Sequence, residues 1–261
     1  MKLSYIDNEK EFDFGRTSAE YAKFRDIYPE SMYEKLKLFG ISGKGKTILD
    51  IGTGTGVVPR CFKGEGCYYG IDISENQIKT AIELSKGMNI KYSVATAEET
   101  GFENNKFDEV IACQCFHYFD LDRAIPEIGR IMKPKGKFCK IMMEWLPKED
   151  EMLSLMEHLI LKYNPDWHGN DYSGFDYSFP EWAKNSFEIE TIHSYRENLT
   201  FTPDTWAGRI RTCRGIGASL AQNEIERFDK EHLNLLNEYT KNGILKIPHL
   251  INIEIYRSKG Q

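Results

Sequence analysis

Five short apolar runs, TILDI (47–51), CYYGIDI (67–73), IKYSVA (90–95), FDEVIAC (107–113) and GKFCKIMME (136–144), succeed one another through the first 145 residues, with amphipathic stretches between them. A chain with this pattern buries its runs by laying them side by side as parallel strands, joined by crossovers that carry helices. SENQIKTAIELSK opens on Ser74 with Gln77 three residues on, the spacing of a capping box. LDRAIPEIGRIMK precedes Pro134-Lys135-Gly136, which reads as a stop before the fifth strand. After Trp145 the alternation breaks, and 164–182, rich in aromatics, Gly, Asp and Pro, reads as a loop or lid. Residues 187–195 and 249–257 alternate with period two and read as late strands. Between them 202–215 and 221–243 read as helices, the second ending at Lys241-Asn242-Gly243.

With 261 residues and 41% hydrophobic content, the chain is long enough to bury a sizeable core. Its formal charge of −6 and the lack of a basic run argue against nucleic acid and anionic lipid as partners. The six cysteines lack paired CxxC spacing and read as reduced core thiols of a cytoplasmic protein. Cys113 and Cys115, two apart in a strand, share a face, but no second ligand-spaced pair completes a metal site, so no metal is expected. The N-terminus has no apolar signal-peptide core, and no apolar stretch of membrane-spanning length follows.

The first run leads into ILDIGTGTGVVPR, with glycines at 52, 54 and 56 and an acid at Asp50. Glycines there let the backbone turn tightly between strand and helix, and the helix start offers unpaired amides to a nucleotide-like ligand. The nicotinamide fingerprint needs Gly or Ala three residues after Gly54, where Val57 stands, and Asp50 would repel a pyrophosphate. A P-loop is excluded because no GK[ST] follows. Asp50 suits a cationic or amine-bearing ligand.

LDIGTGTG resembles the first motif of the class I, Rossmann-like S-adenosyl-L-methionine-dependent methyltransferases. The resemblance implies that Asp50, Gly52, Thr53, Gly54 and Gly56 hold the methionine portion of the cofactor. YGIDIS places Asp72 at the ribose, with Ile73 beside it in the cofactor site, and ATAEETGF places Ala97 and Glu98 at the adenine. FDEVIACQCFHYFD and RIMKPKGKF resemble the family's fourth strand, with Cys113 and Gln114 on the cofactor side, and the turn before its fifth. The likeness covers residues 44–144. More narrowly, FGRTSAEYAKFRDIYPESMY and QCFHYFD resemble the type 11, trans-aconitate-type small-molecule group, although Asp26 stands for the usual Pro and Tyr118 for Trp. By that likeness Tyr21 and Arg25, one helical turn apart, close over the cofactor; the residues by themselves are either that lid or packing and a surface charge.

The expected fold is α/β: a doubly wound, mostly parallel seven-stranded Rossmann-like sheet with helices on both faces and a cap from the N-terminal helix and late insertions. One domain is expected, with cap helices in 1–43, a cofactor-binding core in 44–145 and a substrate-side lid with late strands in 146–261. The implied reaction moves a methyl group from S-adenosyl-L-methionine, leaving S-adenosyl-L-homocysteine, to a small-molecule acceptor. The [DN]PPY motif of amine-methylating nucleic-acid and protein enzymes is absent. Arg211 and Arg214 share a helical face with Arg209 turned away, so they either grip an acceptor carboxylate or pair with acids such as Glu224 and Glu226. Trp145 joins them on the substrate side. His117 is either a general base or a shaper of the pocket, and the aromatics of 167–182 are either packing or a pocket wall. A non-catalytic cofactor-binding protein and a nicotinamide oxidoreductase are the alternatives, and the oligomeric state stays open.

Overall fold

The computed structural model describes residues 2–3, 5–62, 66–170, 172, 174, 178 and 180–259. Part of the 164–182 stretch therefore lies outside the described residues. The strands are β1 (Thr47–Ile51), β2 (Cys67–Asp72), β3 (Ile90–Val94), β4 (Phe107–Cys113), β5 (Met132–Trp145), β6 (Phe187–Phe201) and β7 (Leu245–Ser258). The helices are α1 (Ser18–Phe24), α2 (Glu30–Leu38), α3 (Val57–Cys61), α4 (Glu75–Leu84), α5 (Leu121–Ile131), α6 (Glu151–Tyr163), α7 (Pro203–Arg211) and α8 (Gln222–Tyr239). The strands form one seven-stranded sheet in the order β3-β2-β1-β4-β5-β7-β6. The pairs β1 with β2, β1 with β4, β2 with β3 and β4 with β5 are parallel. After β1 the chain winds outward through β2 and β3, then returns to place β4 on the other side of β1. Strand order thus reverses between β1 and β4, the place where open α/β sheets bind ligands at the carboxyl ends of their strands.

Packing divides the chain into two compact units. The first comprises Met1–Ile27, Glu144–Gly174 and Arg196–Leu250, and the second Tyr28–Met143, Phe175–Tyr195 and Ile251–Gln261. The second unit holds a core of strand and helix side chains, Leu49, Ile51, Ile71, Val110, Ile128 and Phe138 among them, all essentially sealed from solvent. α5 earns its place there through Ala124, Ile125, Ile128 and Ile131, which recur at helical spacing and bury one face. α4 starts as expected, with the Ser74 hydroxyl accepting the Gln77 amide at 3.4 Å.

Three expectations need correction. β5 begins at Met132, not after Pro134-Lys135-Gly136. Phe107 pairs with Met132 and Glu109 with Lys137, so extra residues of β5 bulge out between, with Lys135 at φ 63°. A bulge at a strand end tolerates the proline that a regular ladder would reject. α6 lies where the alternation was read as broken: Met152, Met156 and Ile160 recur every fourth residue, and the Asp150 carboxylate caps the Leu153 amide at 3.0 Å. α8 stops at Tyr239, and the turn at Asn242 and Gly243, both at positive φ, follows it as a separate feature.

His232 on α8 is fully buried in the first unit, tilted against the Phe228 ring with centres 5.2 Å apart, and among the described residues neither ring nitrogen has a hydrogen-bond partner. Burial, helped by the nearby Arg211 cation, pulls its pKa from 6.5 down to about 3. The unfolded chain binds this proton below its ordinary value while the folded chain refuses it, so the stability His232 allows shrinks as pH falls from 6.5 towards 3. Relative to wild type, His232→Leu should gain about 1.4 kcal/mol of stability per pH unit through that window. Urea unfolding of both proteins at several pH values measures the difference, and a gap that does not change with pH would remove this account.

Candidate functional site

In the second unit the glycine turn leaves β1 at its carboxyl end. Gly52, Gly54 and Gly56 have φ of 66°, 55° and 78°, conformations closed to most side chains. A Cβ at Gly52 would lie 2.7 Å from the Cys115 Cβ, and one at Gly56 would run into the Tyr92 hydroxyl. At these two positions the missing side chains make room for the protein's own residues. Asp50 is buried in the middle of the sheet, opposite Gly70 on β2 and Ile111 on β4. Its Oδ2 accepts the Thr53 hydroxyl at 2.6 Å. Burial pushes its pKa up to about 7, Thr53 pulls it down and the charge of Asp72 adds to the rise.

Asp72 ends β2. Its two carboxylate oxygens accept the Gly54 amide at 2.9 Å and the Ser74 amide at 2.8 Å, which ties the turn to the start of α4. Burial raises its pKa against these two bonds. Ile73 beside it is 55% exposed, an apolar side chain held out at a strand end. Ala97, after β3, is buried, and Glu98 accepts the Asp120 amide at 2.9 Å. After β4, Gln114 takes φ 61°, a strained value for a side-chain-bearing residue. It is held there by its amide on the Ile141 carbonyl at 2.9 Å and its side-chain amide on the Met143 carbonyl at 2.5 Å. Because the backbone turns over at Gln114, Cys115 is outside β4 and does not share a strand face with Cys113. Its thiol instead donates to the Ile51 carbonyl at 3.1 Å, under the glycine turn. Burial raises both thiols, which makes them poor nucleophiles. His117 sits exposed on a short 3-10 turn against the Tyr118 ring.

The remaining expected residues lie in the first unit. Arg25 caps α1, its guanidinium 5.1 Å from the centre of the Tyr21 ring, with hydrogen bonds to Thr212 Oγ1 at 3.1 Å and Cys213 Sγ at 3.0 Å. The Trp145 indole donates to Glu157 at 2.7 Å. The shared helical face of Arg211 and Arg214 does not exist, because α7 ends at Arg211 and the chain turns away before Arg214. Arg211 pairs with Glu20 and Asp229, and Arg214 with Asp7. Arg209, read from the sequence as facing away, is the arginine taken into the interior: 1% exposed, bonded to His249 Nε2 at 2.8 Å and packed on Trp145, Trp206 and Phe201. His249 donates its Nδ1–H to the Ile247 carbonyl, so its Nε2 is free to accept from Arg209, and burial beside that cation holds its pKa down at about 3. Glu144, also missed, is held at about 7 by burial, against the pull of Arg209 and Arg25. The signal for both was faint: an acid and a cation inside otherwise apolar elements.

A cleft of about 700 Å³ in the first unit carries four carboxylates, Glu149, Asp150, Glu151 and Glu157, and none of the residues expected from the sequence lines it. Among the described residues no cluster of metal-ligating side chains is found, and no helix is long and apolar enough to cross a membrane.

Residues 49–139 match a family model described as a methyltransferase domain. Over 120 residues the chain is 37% identical to phosphoethanolamine N-methyltransferase 2 of Caenorhabditis elegans, covering 42% of this chain and 28% of that protein. Over 173 residues it is 26% identical to the uncharacterized methyltransferase YcgJ of Bacillus subtilis, covering 62% and 64%. The chain thus spans less than two thirds of the length of these curated relatives. A putative type II methyltransferase from Anaeromyxobacter dehalogenans shares the fold at a TM-score of 0.58, with 21% identity, 90% of this chain and 97% of that one covered. The nicotinamide alternative falls with the domain match. The match to a methyltransferase domain lies over the strands that carry the glycine turn and supports a class I, S-adenosylmethionine-dependent methyltransferase.

Proposed function

We propose that the chain is a single methyltransferase domain that moves a methyl group from S-adenosylmethionine to a small-molecule acceptor in the cytoplasm. The observation that carries the reading is the pair of desolvated carboxylates, Asp50 and Asp72, on either side of a glycine turn at the sheet's switch point. Burial raises the pKa of each, and the charge of Asp72 adds to the rise of Asp50. A ligand with an ammonium group and vicinal hydroxyls suits that donor set. Asp50 would answer the amine, and the oxygens of Asp72 keep lone pairs for ribose hydroxyls beyond the two backbone amides they accept. Exposed Ile73 offers an apolar surface to the cofactor, with Ala97 and Glu98 on the adenine side. Bound there, the cofactor supplies a methyl group on a sulfonium, open to in-line displacement. The residues around it position and exclude water, which supplies most of the acceleration such a displacement needs. The part of the curated relatives that this chain shares leaves the acceptor itself to be found by a metabolite screen for S-adenosylhomocysteine release.

Asp72→Ala tests the reading. It removes the carboxylate that fixes Gly54 and Ser74 and the contact to the ribose, and should weaken S-adenosylhomocysteine binding by about 1–3 kcal/mol in calorimetry. Wild-type affinity in this variant, or stabilisation of the wild type by NAD in place of S-adenosylmethionine in a thermal-shift comparison, would overturn the assignment.

A further inference from the structure

Gly70 stands inside β2, paired with Asp50 on β1 and with Tyr92 on β3. All three belong to the second unit, as do Thr53, Gly56 and Ser85. The φ of Gly70 is not positive, so its backbone does not call for glycine. The space around it does, because a Cβ there would lie 2.7 Å from Cδ1 and Cε1 of the Tyr92 ring and 2.9 Å from Thr53 Oγ1. A glycine inside a strand weakens it and marks a place where something approaches closely. Here the ring of Tyr92 and the hydroxyl of Thr53 flank the one position on β2 that carries no side chain. The Thr53 hydroxyl in turn bonds to Asp50 Oδ2 at 2.6 Å, and the Thr53 amide to the Ile71 carbonyl at 2.9 Å. At the far end of its ring, the Tyr92 hydroxyl shares a hydrogen bond of 2.9 Å with that of Ser85, the buried residue that caps α4. Tyr92 also bounds the glycine turn, since a Cβ at Gly56 would run into its hydroxyl and lie 2.9 Å from its Cζ. One side chain thus touches the strand beside Asp50 and the turn that follows Asp50, and is tied to a helix cap at its tip.

The geometry points to Tyr92 as a positioning residue of the cofactor site: seated over Gly70 and tied to Ser85, it holds Thr53 against Asp50 and so fixes the carboxylate that answers the amine of S-adenosylmethionine. This inference rests on the methyltransferase reading, and its test separates the two. S-adenosylhomocysteine affinity is measured by calorimetry in the full-length wild type, Tyr92→Leu, Thr53→Val, the double variant of these two, Tyr92→Phe and Gly70→Ala, with circular dichroism reporting which are folded. Tyr92→Leu and Thr53→Val should each bind about tenfold more weakly, since each loosens the same hydrogen bond to a charged group. A residue that acts through Thr53 makes the two losses non-additive: the double variant should bind within about threefold of the weaker single one, whereas a general loosening of the fold would multiply the losses to about a hundredfold. Tyr92→Phe keeps the ring over Gly70 and should stay within about threefold of wild type, because the contact with Thr53 survives. Gly70→Ala disturbs the same contact from the other side, should also bind about tenfold more weakly, and takes the place of Tyr92→Leu, alone and in the double variant, if that protein does not fold. Wild-type affinity in Tyr92→Leu, Gly70→Ala or Thr53→Val, a loss in Tyr92→Phe equal to that in Tyr92→Leu, or multiplied losses in the double variant would overturn the role of Tyr92 while the cofactor assignment stands. If S-adenosylhomocysteine fails to bind the wild type, the methyltransferase reading fails, and this inference with it.

Discussion

Arg209→Leu should lower the unfolding free energy by about 3–5 kcal/mol, a large share of the 5–15 kcal/mol typical of a folded domain. Replacing a whole buried charge cluster with apolar residues can be neutral, but removing one member strands the others. Here the leucine would leave His249 Nε2 without its donor and take away the cation that does most to hold Glu144 ionised. It would also remove the flat guanidinium that lies 5.0 Å from the centre of the Trp206 ring and 5.7 Å from that of Trp145. Arg209→Lys should recover little of the loss, since a lysine cannot spread over two indoles and hydrogen-bond at once. Urea unfolding at neutral pH measures both variants, and a loss under about 1 kcal/mol for the leucine would show that the cluster contributes little to stability.

Gly52→Val should abolish S-adenosylhomocysteine binding in practice, with a loss of about a hundredfold or more. Two penalties act together. A β-branched residue at φ 66° is strained by about 1–2 kcal/mol, and its Cβ would overlap the Cys115 side chain, 2.7 Å away, at an overpacking cost of about 1–3 kcal/mol. The turn can relieve both only by moving, and the turn is what the cofactor meets. The combination Gly52→Ala with Cys115→Gly separates them, because it removes both the Cβ and the Sγ that would overlap and keeps the strain. Calorimetry should show it binding better than Gly52→Ala alone and worse than wild type. Full affinity in Gly52→Val would mean that the turn does not touch the cofactor.

β1 and β4 were legible because burial on both faces forces unbroken apolar runs, whereas β5 starts ahead of its run, at Met132. β1 and β4 begin and end where their runs do. α6 was not legible in the same way. Its apolar residues are real, but the Gly, Asp and Pro of the following stretch masked their four-residue recurrence. The arginines show a different failure. A helical wheel assumes that the helix continues, and α7 stops at Arg211 because Thr212 and Cys213 turn the chain out, their hydroxyl and amide bonding back to carbonyls of Arg209 and Ile210. Arg214 was never on that wheel.

The succession of strands along the chain, the acid before the glycine turn and the acid at the end of β2 were written in the residues, since each follows from local chemistry: apolar runs must pair, glycines must turn, and a carboxylate at a strand end must face a ligand or an amide. Which charges would be buried together was not. Arg209, Glu144 and His249 are separated by up to about a hundred residues in the chain and meet only once α7 and the ends of β5 and β7 have been brought into one unit. A single arginine in an amphipathic helix looks the same from the sequence whether it faces water or a histidine. The choice between them is made by which neighbours arrive, and by the free energy of leaving a charge without one.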